Sequence, residues 1–219
     1  MPTSRSYRDS CGVARALDVV GERWALLIVR ELLLTPQRFS ELRHALPHVS
    51  SNVLADRLRE LENNGVIHRG PAETEGSTAY QLTEWGRNLE PIVRGLGEWG
   101  VDAPQPPEPS ALSASSVLIF LEDAARPDPK APPTVCRLDL GGRVWTVRLA
   151  DGRLRVQAGE TATADASLRA DPKTLSTLLN DPSTLETARA NGSIAVVGDL
   201  SAIRRLLHTI PRNDHPTTP

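Results

Sequence analysis

The sequence predicts an α+β protein of two domains, and three observations carry that expectation. Before position 100 the apolar side chains recur mainly at helical intervals, with two short strand-like runs among them. Residues 101–110, "VDAPQPPEPS", hold four prolines, which disfavour helix and favour a stiff, extended connection. Beyond them, strand-like runs are joined by Gly141-Gly142 and Asp151-Gly152, dipeptides suited to tight hairpins. The expected organisation is a mainly helical domain at 1–100, a linker at 101–110, an antiparallel sheet with helices at 111–210, and a flexible tail at 211–219.

Composition narrows the class. With 219 residues and 39% apolar content, either domain can build a core. A formal net charge of -2 excludes a uniformly basic protein that coats nucleic acid, but leaves room for a local basic face. No apolar run is long enough to span a bilayer. The polar start "MPTSRSYRDS" lacks a signal-peptide core, so a cytoplasmic protein without membrane contact is expected. Cys11 and Cys136 are distant in sequence, and no disulfide is expected between them in a reducing compartment. No Cys/His cluster has metal-ligand spacing, so neither metal nor cofactor is expected.

Along the first domain, Val13, Ala16, Leu17 and Val20 share one helical face. Trp24, Leu27, Ile28 and Leu32 mark a second helix, interrupted by Glu31. Phe39, Leu42 and Leu46 mark a short third, entered near Ser40 and closed by Pro47. Ser50 is an N-cap for a fourth, striped by Leu54, Leu58 and Leu61 with Val53 beside them. Gly65 suits its left-handed C′ position. Val66–Arg69 and Thr78–Leu82 read as two strands. Thr83 caps a last helix carrying Leu89, Ile92, Val93, Leu96 and Trp99.

Two helices joined by the turn "LPHVS", with a hairpin beside them, match a helix-turn-helix with a wing. Such a motif lays its second helix in the major groove, where base edges carry a distinct donor–acceptor code. With the leucine stripe inward, Ser51, Asn52, Ala55 and Asp56 are the outward positions near that helix's start. Ser50 opens the helix, and Arg59 lies one turn later. An Asn bonds adenine in two places, Ser donates or accepts, and Ala meets a thymine methyl. Arg38, Arg43, Arg57, Arg59 and Arg69 are candidates for phosphates. A charged helical face that is merely solvated is the competing reading.

The stretch "CGVARALDVVGERWALLIVRELLLTPQRFSELRHALPHVSSNVLADRLRELENNGVIHR" resembles the HxlR family of bacterial winged-helix regulators. The "G-x-x-W-x-L-L-I" helix, "RFSELRHAL", "LADRLRELE" and "GVIHR" carry the likeness, and "YQLTEWG" resembles the end of the wing. The resemblance covers about Cys11 to Gly100. It implies a homodimer through the first and last helices of this domain, addressing a palindromic operator in double-stranded DNA. The family often has a basic residue where Asn52 stands, so base preference does not carry over. Glu73 and Glu75 in the wing repel phosphates, which shifts the expected contacts to His68 and Arg69. In part of the family a cysteine at the Cys11 position senses oxidants or electrophiles. The alternative is a small apolar residue packed in the dimer interface.

In the second domain, "ALSASSVLIFLEDAA" reads as helix, "TVCRLDL", "RVWTVRLA", "RLRVQAG" and "ADASLRA" as strands, and short helices begin at Pro172 and Pro182. "SIAVVGD" is a last strand and "LSAIRRLLHTI" a last helix. The pattern "D-A-S-L-R-A-D-P-K-T-L" and the closing "G-S-I-A-V-V-G-D-L-S-A-I" resemble the sterol carrier protein type 2 fold. That implies an apolar cavity, lined by Leu118, Leu121, Trp145, Val147, Leu175, Leu179 and Leu206. The same residues equally suit a solid core. No nucleophile–base pair stands out, and no enzyme is expected. The combined expectation is a DNA-binding regulator, more naturally a repressor, with an apolar small-molecule effector. The alternative is a carrier of lipid or other hydrophobic ligands whose helical half serves dimerisation or protein binding.

Overall fold

The structure is a computed structural model describing residues 6–71, 77–104 and 111–211. The chain divides into two compact units, Met1–Ala111 and Leu112–Pro219. Residues 105–110 of the expected linker and 212–219 of the expected tail lie outside the described residues.

In the first unit, α1 (Gly12–Val20) and α2 (Ala25–Leu33) are followed by α3 (Phe39–Ala45) and α4 (Ser51–Asn63). A hairpin follows, β1 (Ile67–Pro71) paired antiparallel with β2 (Thr78–Leu82). The unit ends in α5 (Glu84–Arg87) and α6 (Glu90–Gly100). Ile28, Leu32, Leu42, Leu54, Leu58 and Leu61 are buried together with Val66, Ile67 and Leu82. Between α1 and α2, Trp24 holds a φ of 82°, a left-handed conformation unusual for a bulky side chain.

One continuous helix was expected after Thr83; the chain forms two. Thr83 caps only α5, accepting from the Gly86 N–H at 2.9 Å. Pro91 has no N–H to bond back to Arg87, so the helix restarts with Pro91 in its first turn. Gly86 is required where it stands: a Cβ there would meet the Val66 carbonyl oxygen at 2.0 Å.

The second unit opens with α7 (Ala114–Ala124), followed by β3 (Thr134–Leu140), β4 (Arg143–Ala150), β5 (Arg153–Ala158) and β6 (Ala166–Ala170). Then come α8 (Pro172–Asn180), a short 3-10 turn, α9 (Leu185–Ala190), β7 (Ala195–Gly198) and α10 (Leu200–Leu207). The sheet order is β5-β4-β3-β6-β7. Gly141, Gly142, Asp151 and Gly152 all have positive φ, as two tight primed hairpin turns require.

The sheet is mixed rather than wholly antiparallel, because β6 pairs parallel with β3. Its physical cause is a seven-residue crossover, 159–165, that returns over one face of the sheet. The crossover is pinned there by Gly159 N–H to Val144 O at 2.9 Å and Asp165 N–H to Val135 O at 2.8 Å. The opposite face carries Cys136, Leu138, Trp145 and Val147 and packs under α7 and α10, with α8 against α7.

Candidate nucleic-acid interface

The second helix of the α3–α4 pair is set by its ends. Ser50 Oγ accepts from Val53 N–H at 3.3 Å. At the other end Gly65, with φ 70°, lets Val66 N–H reach Leu61 O at 2.9 Å, closing a Schellman cap. Leu54, Leu58 and Leu61 are fully buried, which fixes the rotation of α4 about its axis. Ser51, Asn52, Asp56 and Arg59 are consequently exposed, and Ala55, nearer the core, is half-buried. Val53 is exposed rather than lying along the buried stripe, adding an apolar surface beside Asn52 that the spacing alone did not reveal.

The arginines differ in what they are free to do. Arg43 donates from Nε to Ser51 Oγ at 3.1 Å and from Nη1 to the Pro47 carbonyl at 3.3 Å. It therefore clamps the turn to the start of α4. Nothing in the sequence signals this bond across the turn. Arg57 departs from expectation: its side chain is 17% exposed and pairs with both Glu60 and Glu22. Mostly covered and paired with two carboxylates, it is less free to reach a phosphate than Arg59. Arg59, 62% exposed, pairs with Asp56 at 2.8 Å, and Arg38 lies 3.4 Å from Glu41.

In the wing, Arg69 stacks over Tyr80 at 5.2 Å and reaches Glu62 at 3.4 Å. His68 is exposed on the opposite face of β1, so the two cannot serve one phosphate together. Glu73 and Glu75 lie outside the described residues. The wing is tied to the loop before α3 by Gln37 and Tyr80, which exchange both backbone hydrogen bonds at 3.0 and 2.8 Å.

The comparisons with known proteins fit this geometry. A model described as HxlR-like helix-turn-helix matches residues 19–107. The uncharacterized HTH-type transcriptional regulator YvaP of Bacillus subtilis is 43% identical over 89 residues, covering 40% of this chain and 82% of YvaP. The chain belongs to the HxlR-like helix-turn-helix family. The HTH-type transcriptional regulator YodB of B. subtilis is also similar to this HxlR-type chain, 36% identical across 38% of it and 76% of YodB. Among solved structures, the redox regulator HypR in its oxidized form is 36% identical, covering 44% of this chain and all of HypR, with a TM-score of 0.41. The second unit matches the SCP-2 sterol transfer family over residues 122–210.

In that second unit Leu118, Leu121, Trp145, Val147, Leu175, Leu179 and Leu206 are all buried and converge between sheet and helices. Among the described residues, no acceptor reaches the buried indole N–H of Trp145. A separate cleft of about 190 Å³ lies beside Thr134, Leu149, Arg205 and His208 and includes none of those seven. Cys136 is buried, its Sγ 3.8 Å from Ala202 O, and burial pushes its thiol up to about 12. Cys11 is exposed at the start of α1, where its sulfur accepts from Ala14 N–H at 3.3 Å. Among the described residues no His/Cys/Asp/Glu group has the arrangement of a metal site, and no helix is long and apolar enough to cross a membrane.

Proposed function

We propose that this HxlR-type regulator is a cytoplasmic repressor that binds a palindromic operator as a homodimer, and that its second unit binds an apolar effector. The observation that carries the DNA reading is the orientation of α4: three buried leucines leave Asn52 and Ser51 exposed at its first turn, with Ser51 held by Arg43. Asn52 and Ser51 would read base edges, and Arg59 and Arg38 would contact phosphates.

Dimerisation is supported by apolar side chains without cover in the protomer. Val13 and Leu17 on α1, and Ile92, Leu96 and Trp99 on α6, are exposed. Isolated exposed apolar residues are ordinary, but several large ones on two terminal helices mark an interaction face. The effector reading is supported by the unpartnered Trp145 N–H in an otherwise apolar interior, which a ligand oxygen would satisfy. Cys11, exposed and at a helix start, is the thiol through which an oxidant or electrophile would act.

The test is binding of the full chain to the duplex upstream of its own coding sequence, measured by fluorescence anisotropy across a salt series. Specific binding that strengthens as salt falls supports the regulator. Affinity no better than for a scrambled duplex rejects it, leaving the carrier alternative. For the effector, native against denaturing mass spectrometry would reveal a retained ligand. Absence of one, with no shift in operator affinity by added apolar molecules, rejects that part.

A further inference from the structure

The outer face of the second unit's sheet, the face crossed by residues 159–165, is unexpectedly basic. Strand register places Arg153 and Arg155 on it from β5, Arg148 from β4, Arg137 from β3 and Arg169 from β6. Two of these are answered within the unit: Arg137 by Glu160 at 2.9 Å, and Arg169 by Asp139 at 2.9 Å. The other three are exposed, and among the described residues no carboxylate pairs with them. Arg148 makes only a 3.2 Å hydrogen bond to Thr161.

Arg148 and Arg155 stand directly opposite one another across the β4–β5 ladder. Like charges in that register destabilise a sheet, and Arg153 adds a third charge about 7 Å along the same strand. Charges on an edge strand such as β5 also deter strand-to-strand aggregation, but Arg148 is on the interior strand β4, where that need does not arise. A multivalent anion covering the triplet would remove the repulsion.

We infer that the Arg148–Arg153–Arg155 face of the second unit contacts the phosphate backbone of duplex DNA next to the operator. Charge distribution favours DNA as the occupant. The first unit holds 12 arginines against 15 acidic residues, and most of its arginines near α4 are paired with carboxylates. The second unit holds 13 Lys and Arg against 12 acidic residues and keeps these three unpaired. The face would supply affinity without sequence information, since phosphate contacts carry none.

This inference rests on the regulator reading, and the test separates the two. The full chain and an R148Q/R153Q/R155Q variant, matched by circular dichroism and melting, would be titrated with the upstream duplex and a scrambled duplex across a salt series. The variant is expected to weaken both complexes by the same factor and to make the log–log salt slope shallower by about 5 for the dimer, near 0.9 per lost phosphate contact with three contacts per protomer. An R148K/R153K/R155K variant should keep the wild-type slope. An unchanged slope in the Gln variant, or a Lys variant that behaves like it, overturns the inference while leaving the regulator standing. A wild-type chain that prefers no duplex overturns both.

Discussion

The proposed dimer face makes a quantitative prediction at Trp99. Its side chain is 75% exposed near the end of α6. That leaves roughly 150 Å² of apolar surface available to a partner, given what aromatic side chains bury. At roughly 25 cal/mol/Å² the ceiling is about 4 kcal/mol per protomer. Ordering costs at an interface reduce this to about 1–2 kcal/mol, and two-fold symmetry counts it twice. Trp99→Ala should therefore raise the dimer dissociation constant by about 30- to 700-fold. Sedimentation equilibrium over a micromolar range measures it directly. Operator affinity at low protein concentration should fall in step, because a monomer addresses only one half-site. The fold should survive, since the side chain lies outside the buried cluster of the unit. If Trp99→Ala and Leu17→Asp both leave the dimer constant unchanged, the assignment of α1 and α6 to the interface is wrong.

Four other measurements probe single side chains. Asn52→Ala should relax discrimination at one position per half-site by about 1–3 kcal/mol, read by competition against single-base operator variants. Arg57→Ala should lower unfolding free energy in urea by about 1–2 kcal/mol but leave the salt slope of DNA binding intact, because the side chain is already held by Glu22 and Glu60. Ser50→Ala should cost about 1 kcal/mol by uncapping α4, seen as a lower urea midpoint. With its thiol raised to about 12, Cys136 stays protonated throughout the physiological range. Ellman's reagent should therefore titrate one thiol, Cys11, in the native protein at pH 8 and two in guanidinium; two in the native state would contradict the burial.

Much of this architecture is written in spacing that a single chain displays. The Leu54, Leu58 and Leu61 stripe, with Ser50 before it and Gly65 after it, defines α4 and its rotation without any other information. The two hairpin turns at Gly141-Gly142 and Asp151-Gly152 are equally local, because their positive φ values need particular residues. What spacing cannot carry is contact between segments. The parallel return of β6 depends on where a short crossover runs, and no periodicity reports that. The Arg43 clamp depends on the angle of the α3–α4 turn. Arg57 is an intermediate case: its i,i+3 partner Glu60 is visible in the sequence, but Glu22, from before α2, is brought to it only by packing.

The ion pairs around α4 bear on how such a motif engages DNA. An exposed pair is worth no more than about 1 kcal/mol, because water and salt already screen it. In the proposed complex Arg59 would leave Asp56 for a phosphate at little cost, and its hydrogen bond there would be charge-assisted. The carboxylate left behind would face the same duplex and repel it. Asp56 would thus offset part of what Arg59 contributes in the proposed complex, and Glu62 would do the same for Arg69. Self-paired arginines lower non-specific affinity more than specific affinity, since only a well-fitted groove supplies base contacts to compensate. A recognition helix built this way needs phosphate contacts from elsewhere to hold its operator at physiological salt, and the unpaired triplet Arg148, Arg153 and Arg155 lies in the unit with the surplus of positive charge.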